Sequence, residues 1–90
     1  MAKHLRITGR VQGVGYRAWF EARARALGLS GWVRNRADGS VEALVTGGAA
    51  DVEQIIADAA RGPAMSRVDD VEATPAEEPG NSGFRVLPTA

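Results

Sequence analysis

The chain has no cysteine and a single histidine, His4, in 90 residues. The first absence excludes a disulfide scaffold, a zinc finger and a cysteine nucleophile. The second excludes a histidine-rich metal site. No apolar run approaches the roughly 18 residues of a membrane span, and the opening Met1-Ala2-Lys3-His4-Leu5-Arg6 has no apolar stretch behind it of the kind a secretory leader needs. The expected compartment is therefore the cytosol. No Gly-Lys-Ser/Thr occurs, so a Walker A loop is absent. A charge excess is missing as well: 11 Lys and Arg balance 11 Asp and Glu.

That balance hides an asymmetry. Residues 1–36 carry eight basic side chains against Glu21 alone, a net of +7, and residues 37–90 carry a net of −7. A basic half points to an anionic ligand, unless the halves interleave in space and cancel. With 44% hydrophobic and 24% charged residues the composition is that of a folded globule. One domain spanning 1–90 is expected, burying roughly 60–65% of its unfolded surface around one core.

Periodicity divides the chain. In His4–Thr8, Leu5 and Ile7 alternate with polar neighbours and predict a half-buried strand. Three glycines follow in Gly9-Arg10-Val11-Gln12-Gly13-Val14-Gly15, a loop with special backbone angles. Tyr16, Phe20, Ala24 and Leu27 then form one helical stripe. Arg17, Glu21 and Arg25 lie on another face at i, i+4 spacing and can pair. Gly28 suits the helix stop. Ser30–Asn35 reads as a strand, Asp38-Gly39 as a hairpin turn, and Val41, Ala43 and Val45 as the inward face of a third strand. Val52, Ile55, Ile56 and Ala59 predict a second helix over 49–61, ended by Gly62-Pro63. Arg67–Ala73 reads as a fourth strand with a bulge near Asp69-Asp70, Thr74–Gly83 as a solvated loop, and Phe84–Leu87 as a short last strand. The order β-α-β-β-α-β predicts an α+β, ferredoxin-like sandwich, one antiparallel sheet with two helices on one face.

The strand–glycine loop–helix unit is the informative element. Backbone N–H groups of such a loop and of the first helical turn can converge on one anion, with the helix dipole adding favourable potential. Arg17 would sit in that first turn. Alternatively, Gly13 and Gly15 merely permit a tight turn and Arg17 pairs with Glu21. Gly13-Val14-Gly15-Tyr16-Arg17-Ala18 also matches a dinucleotide fingerprint, with Asp38 about 20 residues on. The architecture opposes that reading, because Asp38 is needed in a hairpin turn and the chain is too short for a doubly wound sheet. Trp32 is the only aromatic in the first two strands, so the stacked-base surface of an RNA-binding sandwich is not expected either. His4 reads as an exposed strand residue, Trp19, Phe20 and Trp32 as packing residues, and Asp69-Asp70 and Glu77-Glu78 as solvated charge.

Gly9-Arg10-Val11-Gln12-Gly13-Val14-Gly15-Tyr16-Arg17 resembles the signature loop of the acylphosphatases. The stretch from Gly28 to Glu42, through Gly31-Trp32-Val33-Arg34-Asn35 and Asp38-Gly39, resembles their second signature. Gly62-Pro63 and the following strand with Val68 and Val71 look like the family too. The resemblance implies hydrolysis of acyl phosphates, the mixed anhydrides of a carboxylic and phosphoric acid. It implies that Arg17 binds the phosphoryl group with loop N–H groups of Gly13, Val14, Gly15, Tyr16 and Arg17, and that Asn35 holds the attacking water. It implies no metal, no cofactor and no covalent intermediate. The partners would be a small-molecule acyl phosphate and inorganic phosphate, with no nucleic acid and no membrane, and the expected state is a monomer.

The sparse inventory suits that chemistry. A carboxylate leaves without a general acid, and a loose phosphoryl transition state needs positioning and charge stabilisation more than a strong base. On its own Asn35 also reads as a polar residue ending a strand. With the first two strands running parallel at the centre of the sheet, it should lie near the loop that follows the first. A module that binds a phosphate-bearing ligand without turnover would use the same residues.

Overall fold

Seven elements make up the chain in the computed structural model, which describes residues 1–78, 80 and 82–90. They are β1 (Ala2–Arg10), α1 (Tyr16–Ala26), β2 (Ser30–Asn35), β3 (Val41–Thr46), α2 (Ala49–Arg61), β4 (Arg67–Pro75) and β5 (Phe84–Val86). The sheet order is β4-β1-β3-β2-β5, antiparallel throughout except for β2 and β5, which pair in parallel. The expectation of a purely antiparallel sheet is corrected by β5. The chain leaves β4 at one edge and crosses to the other, and the strand it then adds runs in the direction of β2.

Period-two alternation builds the inner face of the sheet. Leu5 and Ile7 of β1 and Val41, Ala43 and Val45 of β3 are buried, while Glu42, Leu44 and Thr46 between them face the other way. The two helical stripes close over this face. Tyr16, Phe20 and Ala24 of α1 and Val52, Ile55 and Ala59 of α2 join one core, with Phe20 and Phe84 in tilted ring contact at 5.8 Å. Leu27 caps α1 and Gly28, at φ 70°, turns the chain out of the helix.

Several boundaries differ from the sequence expectation. β1 runs on through Gly9 and Arg10, and the expected bulge is where it permits this: Thr8 faces Asp70 and Gly9 faces Val68, leaving Asp69 as the extra residue. A side chain at Gly9 would run into the Arg67 carbonyl oxygen and lie 2.7 Å from the Asp69 nitrogen, so the bulge demands glycine. β4 extends to Pro75, taking the first two residues of the expected 74–83 loop; positions 79 and 81 of that loop lie outside the described residues.

The expected central pair of strands is also rearranged. β1 and β2 run in the same direction but β3 lies between them, with Val41 opposite Ile7 on one side and Asn35 on the other. Asn35 is thus two strand spacings, about 10 Å, from β1. It shares the helix-side face of Val33, two residues earlier.

Candidate active site

The glycine loop, residues 11–15, passes from β1 into α1 between two anchors. Val11 is buried in the core and Tyr16 is buried at the head of the helix. Between them Gly13 and Gly15 take positive φ, 72° and 77°, with Gly15 the left-handed N-cap of α1. Among the described residues, neither position has an atom beyond its chain neighbours within 4 Å of where a Cβ would stand. Conformation therefore selects glycine there, and the space above the loop is open.

The loop is rich in unused donors. The first intrahelical bond of α1 runs from the Trp19 N–H to the Gly15 carbonyl at 3.1 Å. Among the described residues no backbone N–H from Gly13 to Ala18 meets a backbone acceptor. The N-cap has no capping side chain and the first turn has no acidic residue. Unpaired N–H groups at such an end, with the helix dipole behind them, can receive an anion.

An open cavity of about 310 Å³ covers this end, lined by Gln12, Gly13, Gly15, Arg17, Glu21 and Asn35 among others. Arg17 is half-buried, and among the described residues it makes no ion pair. The alternative pairing with Glu21 is not the one formed: Glu21 binds Arg25 at 3.1 Å. A cation in the first turn of a helix is unfavourable by about 0.3–1 kcal/mol, a sign that an anion beside it reverses.

Asn35 enters the cavity from the end of β2. Its Oδ1 is buried and, among the described residues, has no hydrogen-bond partner. Its main chain is fixed on both sides, by the β3 pairing with Val41 and by the Ala90 N–H donating to its carbonyl at 3.0 Å. The cavity thus gathers Gly13, Gly15, Tyr16, Arg17 and Asn35. Val14 does not line it, since its side chain packs on the core. The Tyr16 side chain points inward too, its hydroxyl donating to the Ala59 carbonyl at 2.7 Å, and burial pushes its phenol pKa up. Its backbone N–H meets no backbone acceptor among the described residues.

His4, Arg34 and Arg36 gather around Glu42 on the opposite face of the sheet. His4 is not a free surface residue: its Nε2 lies 2.6 Å from Glu42 Oε2. Arg34 and Arg36 both bind Glu42 Oε1, at 2.6 and 3.3 Å, and the Arg34 guanidinium stacks 4.8 Å over Trp32. Burial alone would raise the Glu42 pKa, but the bonds from His4 and Arg34 outweigh it and hold the carboxyl below its ordinary range. Asp38 serves the turn, accepting from the Ser40 N–H at 2.9 Å and the Ser40 hydroxyl at 2.6 Å, which pull its pKa down to about 2. Trp19 leans on Tyr16 with ring centroids 5.3 Å apart, and Phe20 is fully buried.

Two residues carry more than their sequence positions indicated. Gln12 Nε2 donates to the carbonyls of Arg36 and Ser40, at 2.8 and 2.9 Å, tying the loop to the β2–β3 hairpin. Asp58, fully buried on α2, is held by Arg23 at 2.7 Å, Gln54 at 3.0 Å and Arg61. Nothing in the periodicity of 49–61 marks Asp58 as buried, because its partners are distant in sequence or on exposed positions.

The acylphosphatase family model matches residues 3–86. The chain is 55% identical over 84 residues to the acylphosphatase of Acidiphilium cryptum, covering 93% of this chain and 92% of that one. It is 56% identical over 88 residues to that of Azoarcus sp., covering 98% and 90%. The crystal structure of acylphosphatase from Bacillus subtilis superposes with a TM-score of 0.91 at 32% identity, covering 97% of this chain and 99% of that one. In sequence and in fold, over nearly its whole length, the chain belongs to the acylphosphatase family.

Proposed function

We propose that the chain hydrolyses acyl phosphates to carboxylate and inorganic phosphate by in-line attack of a water held by Asn35 on a phosphoryl group bound by Arg17 and the N–H cradle of residues 13–17. The observation that carries this reading is that Arg17, the N–H groups of the loop and Asn35 meet at one cavity. Arg17 and the loop N–H groups are donors without a partner among the described residues, and the buried Asn35 Oδ1 is an acceptor without one.

Each group has a distinct task. The guanidinium supplies a planar fork for two equatorial phosphoryl oxygens, and the loop N–H groups supply fixed dipoles for the charge that spreads over them. Asn35 accepts a hydrogen bond from the water and sets its line of approach without titrating. The departing carboxylate, with an acid pKa of about 4–5, needs no proton. The transition state is loose, so positioning accounts for most of the work, and the mechanism needs neither a metal nor a covalent intermediate. Cradle, arginine and asparagine all come from one chain, so a monomer of a single domain over 1–90 suffices. No helix among the described residues is long and apolar enough to cross a membrane. Small acyl phosphates and phosphate are the expected ligands, and the cytosol the expected place.

The test is hydrolysis of benzoyl phosphate by the purified chain, followed beside the Arg17→Ala and Asn35→Ala variants. Phosphate binding with no turnover by the unaltered chain would leave a phosphate-binding module instead of an enzyme.

A further inference from the structure

Gln12 is placed to do something the cradle and Asn35 cannot do for themselves. The donors sit on the β1–α1 connection and the acceptor sits on β2, with β3 between the two strands. The water's line of attack depends on the separation of these two pieces. Gln12 is the residue of the 11–15 loop whose side chain hydrogen-bonds across it, with both amide hydrogens used on the carbonyls of Arg36 and Ser40. Carbonyls only accept, so the NH₂ side of the amide must face them. Arg36 directly follows Asn35.

The hairpin does not need these bonds to close. The Ser40 carbonyl already accepts from the Arg36 N–H at 2.8 Å, and the Arg36 carbonyl from the Gly39 N–H at 3.1 Å. Gln12 occupies a second lone pair on each oxygen. Its removal leaves both carbonyls partnered, so what is lost is the docking of the loop on the hairpin and not the hairpin itself.

We infer that Gln12 is a positioning residue, which fixes the distance between the phosphate cradle of residues 13–17 and Asn35 Oδ1 and thereby aims the attacking water. The inference rests on the acyl phosphate reading, and its test separates the two.

Gln12→Met keeps the length of the side chain and removes the donors; Gln12→Glu keeps the shape and sets a carboxylate against two carbonyls. Both are expected to lower kcat for benzoyl phosphate between about 10-fold and 100-fold, the scale of a misplacement on the order of 1 Å. KM and competitive inhibition by inorganic phosphate should stay within about twofold. In an Asn35→Ala background, Gln12→Met should cost less than about twofold, because the group it positions is gone. An undiminished kcat, an equal loss in both backgrounds, or a parallel loss of phosphate affinity overturns the assignment. So does collapse of the Gln12→Met melting transition, which would make Gln12 a folding residue. A readout free of turnover accompanies these. In the unaltered chain, NMR titration with inorganic phosphate should shift the Asn35 side-chain amide together with the 13–17 backbone amides. In Gln12→Met the backbone response should persist while the Asn35 response fades. If the unaltered chain binds phosphate without hydrolysing benzoyl phosphate, the functional reading falls alone. The Asn35 response then decides Gln12, persistence in Gln12→Met overturning it.

Discussion

The hydroxyl of Tyr16 donates to the main-chain carbonyl of Ala59 at 2.7 Å, joining the first residue of α1 to the last turn of α2. The carbonyl needs that donor. Its ordinary helical partner would be the N–H four residues on, and that residue is Pro63, which has none. The Gly62 N–H bonds Asp58 instead. One proline thus creates a buried orphan acceptor, and one tyrosine satisfies it from the residue next to Arg17.

Tyr16→Phe is therefore expected to cost about 1–3 kcal/mol, the penalty for leaving a buried acceptor unmade, more than the loss of a hydroxyl from a surface would. Urea denaturation measures it. Activity of the folded fraction should fall only mildly, because the Tyr16 backbone N–H, which meets no backbone acceptor among the described residues, is unchanged. A loss below about 0.5 kcal/mol would mean that another donor reaches Ala59.

Arg17 and Asn35 should separate kinetically. In the proposed mechanism Arg17 contacts the phosphoryl group before and during the reaction. Arg17→Ala is thus expected to weaken phosphate binding and to lower kcat/KM by about 3–5 kcal/mol in total. Arg17→Lys should not rescue it, since a point charge lacks the fork. Asn35→Ala should lower kcat on the order of 100-fold or more and leave phosphate inhibition nearly intact. Neither side chain packs in the core, so circular dichroism of both variants should match that of the unaltered chain. Near-normal turnover by folded Asn35→Ala would remove Asn35 from the mechanism.

How far the sequence reaches can be seen at Asn35 and at Gln12. Asn35 is legible only through the family resemblance: on its own it reads as a polar residue ending a strand, and its expected nearness to the glycine loop took β1 and β2 as the central pair, where β3 lies between them. The bulge is legible from periodicity: Val68 and Val71 break the period of two, and Asp69 is the residue left over. Gln12 is not legible as a tether, because its acceptors are main-chain carbonyls more than twenty positions away, and a carbonyl has no residue identity. The same holds for Asp58, whose burial depends on α1 and α2 bringing Arg23 to it. The strand neighbours of β1 were beyond periodicity altogether. Alternation tells which face a residue takes and nothing of which strand lies beside it, and so β3 between β1 and β2 had to be seen.

Asp58 predicts an acid limit. Burial alone would raise its pKa, but hydrogen bonds from Arg23, Gln54 and Arg61 more than offset this and hold it below the ordinary value. The folded state then binds the Asp58 proton less readily than the unfolded chain, whose aspartate titrates near 3.9. The stabilisation is complete above that pH and is lost as pH falls through the lower, folded value. Asp58→Asn should cost on the order of 2 kcal/mol at neutral pH. Its stability should also fall less steeply than that of the unaltered chain below about pH 4. Parallel curves in acid denaturation would show that Asp58 does not set this slope.

Chelation should leave activity unchanged. Among the described residues no group of three His, Asp or Glu side chains could hold a metal ion, and in the proposed mechanism the cradle and Arg17 supply the positive field that a metal would bring to a phosphoryl group. Assay after exhaustive EDTA treatment, with and without added magnesium, reads this directly. Activity lost to chelator and restored by metal would end the metal-free mechanism.

Inorganic phosphate should stabilise the fold through the same cradle. It carries the charge and oxygens of the transferred group, so it should compete with substrate and bind the folded chain alone. Stabilisation then follows RT ln(1 + [L]/Kd), about 2.7 kcal/mol at a hundredfold excess over Kd. The shift in melting temperature should rise with the logarithm of phosphate concentration once the site is saturated. An inert salt of equal ionic strength should not reproduce it. The N–H cradle and Arg17 contribute separately, and this gives the measurement its resolution. Arg17→Ala removes the fork but keeps the main-chain donors, so its phosphate shift should shrink without vanishing. Gly15→Ala forces a side chain into φ 77° with no atom in its way, so it disturbs the loop by conformational strain alone. It should lower stability by about 1–2 kcal/mol and weaken the phosphate shift together. A Gly15→Ala variant destabilised as expected but with the full phosphate shift would place the anion away from residues 13–17, and the cradle would no longer explain the family likeness of this loop.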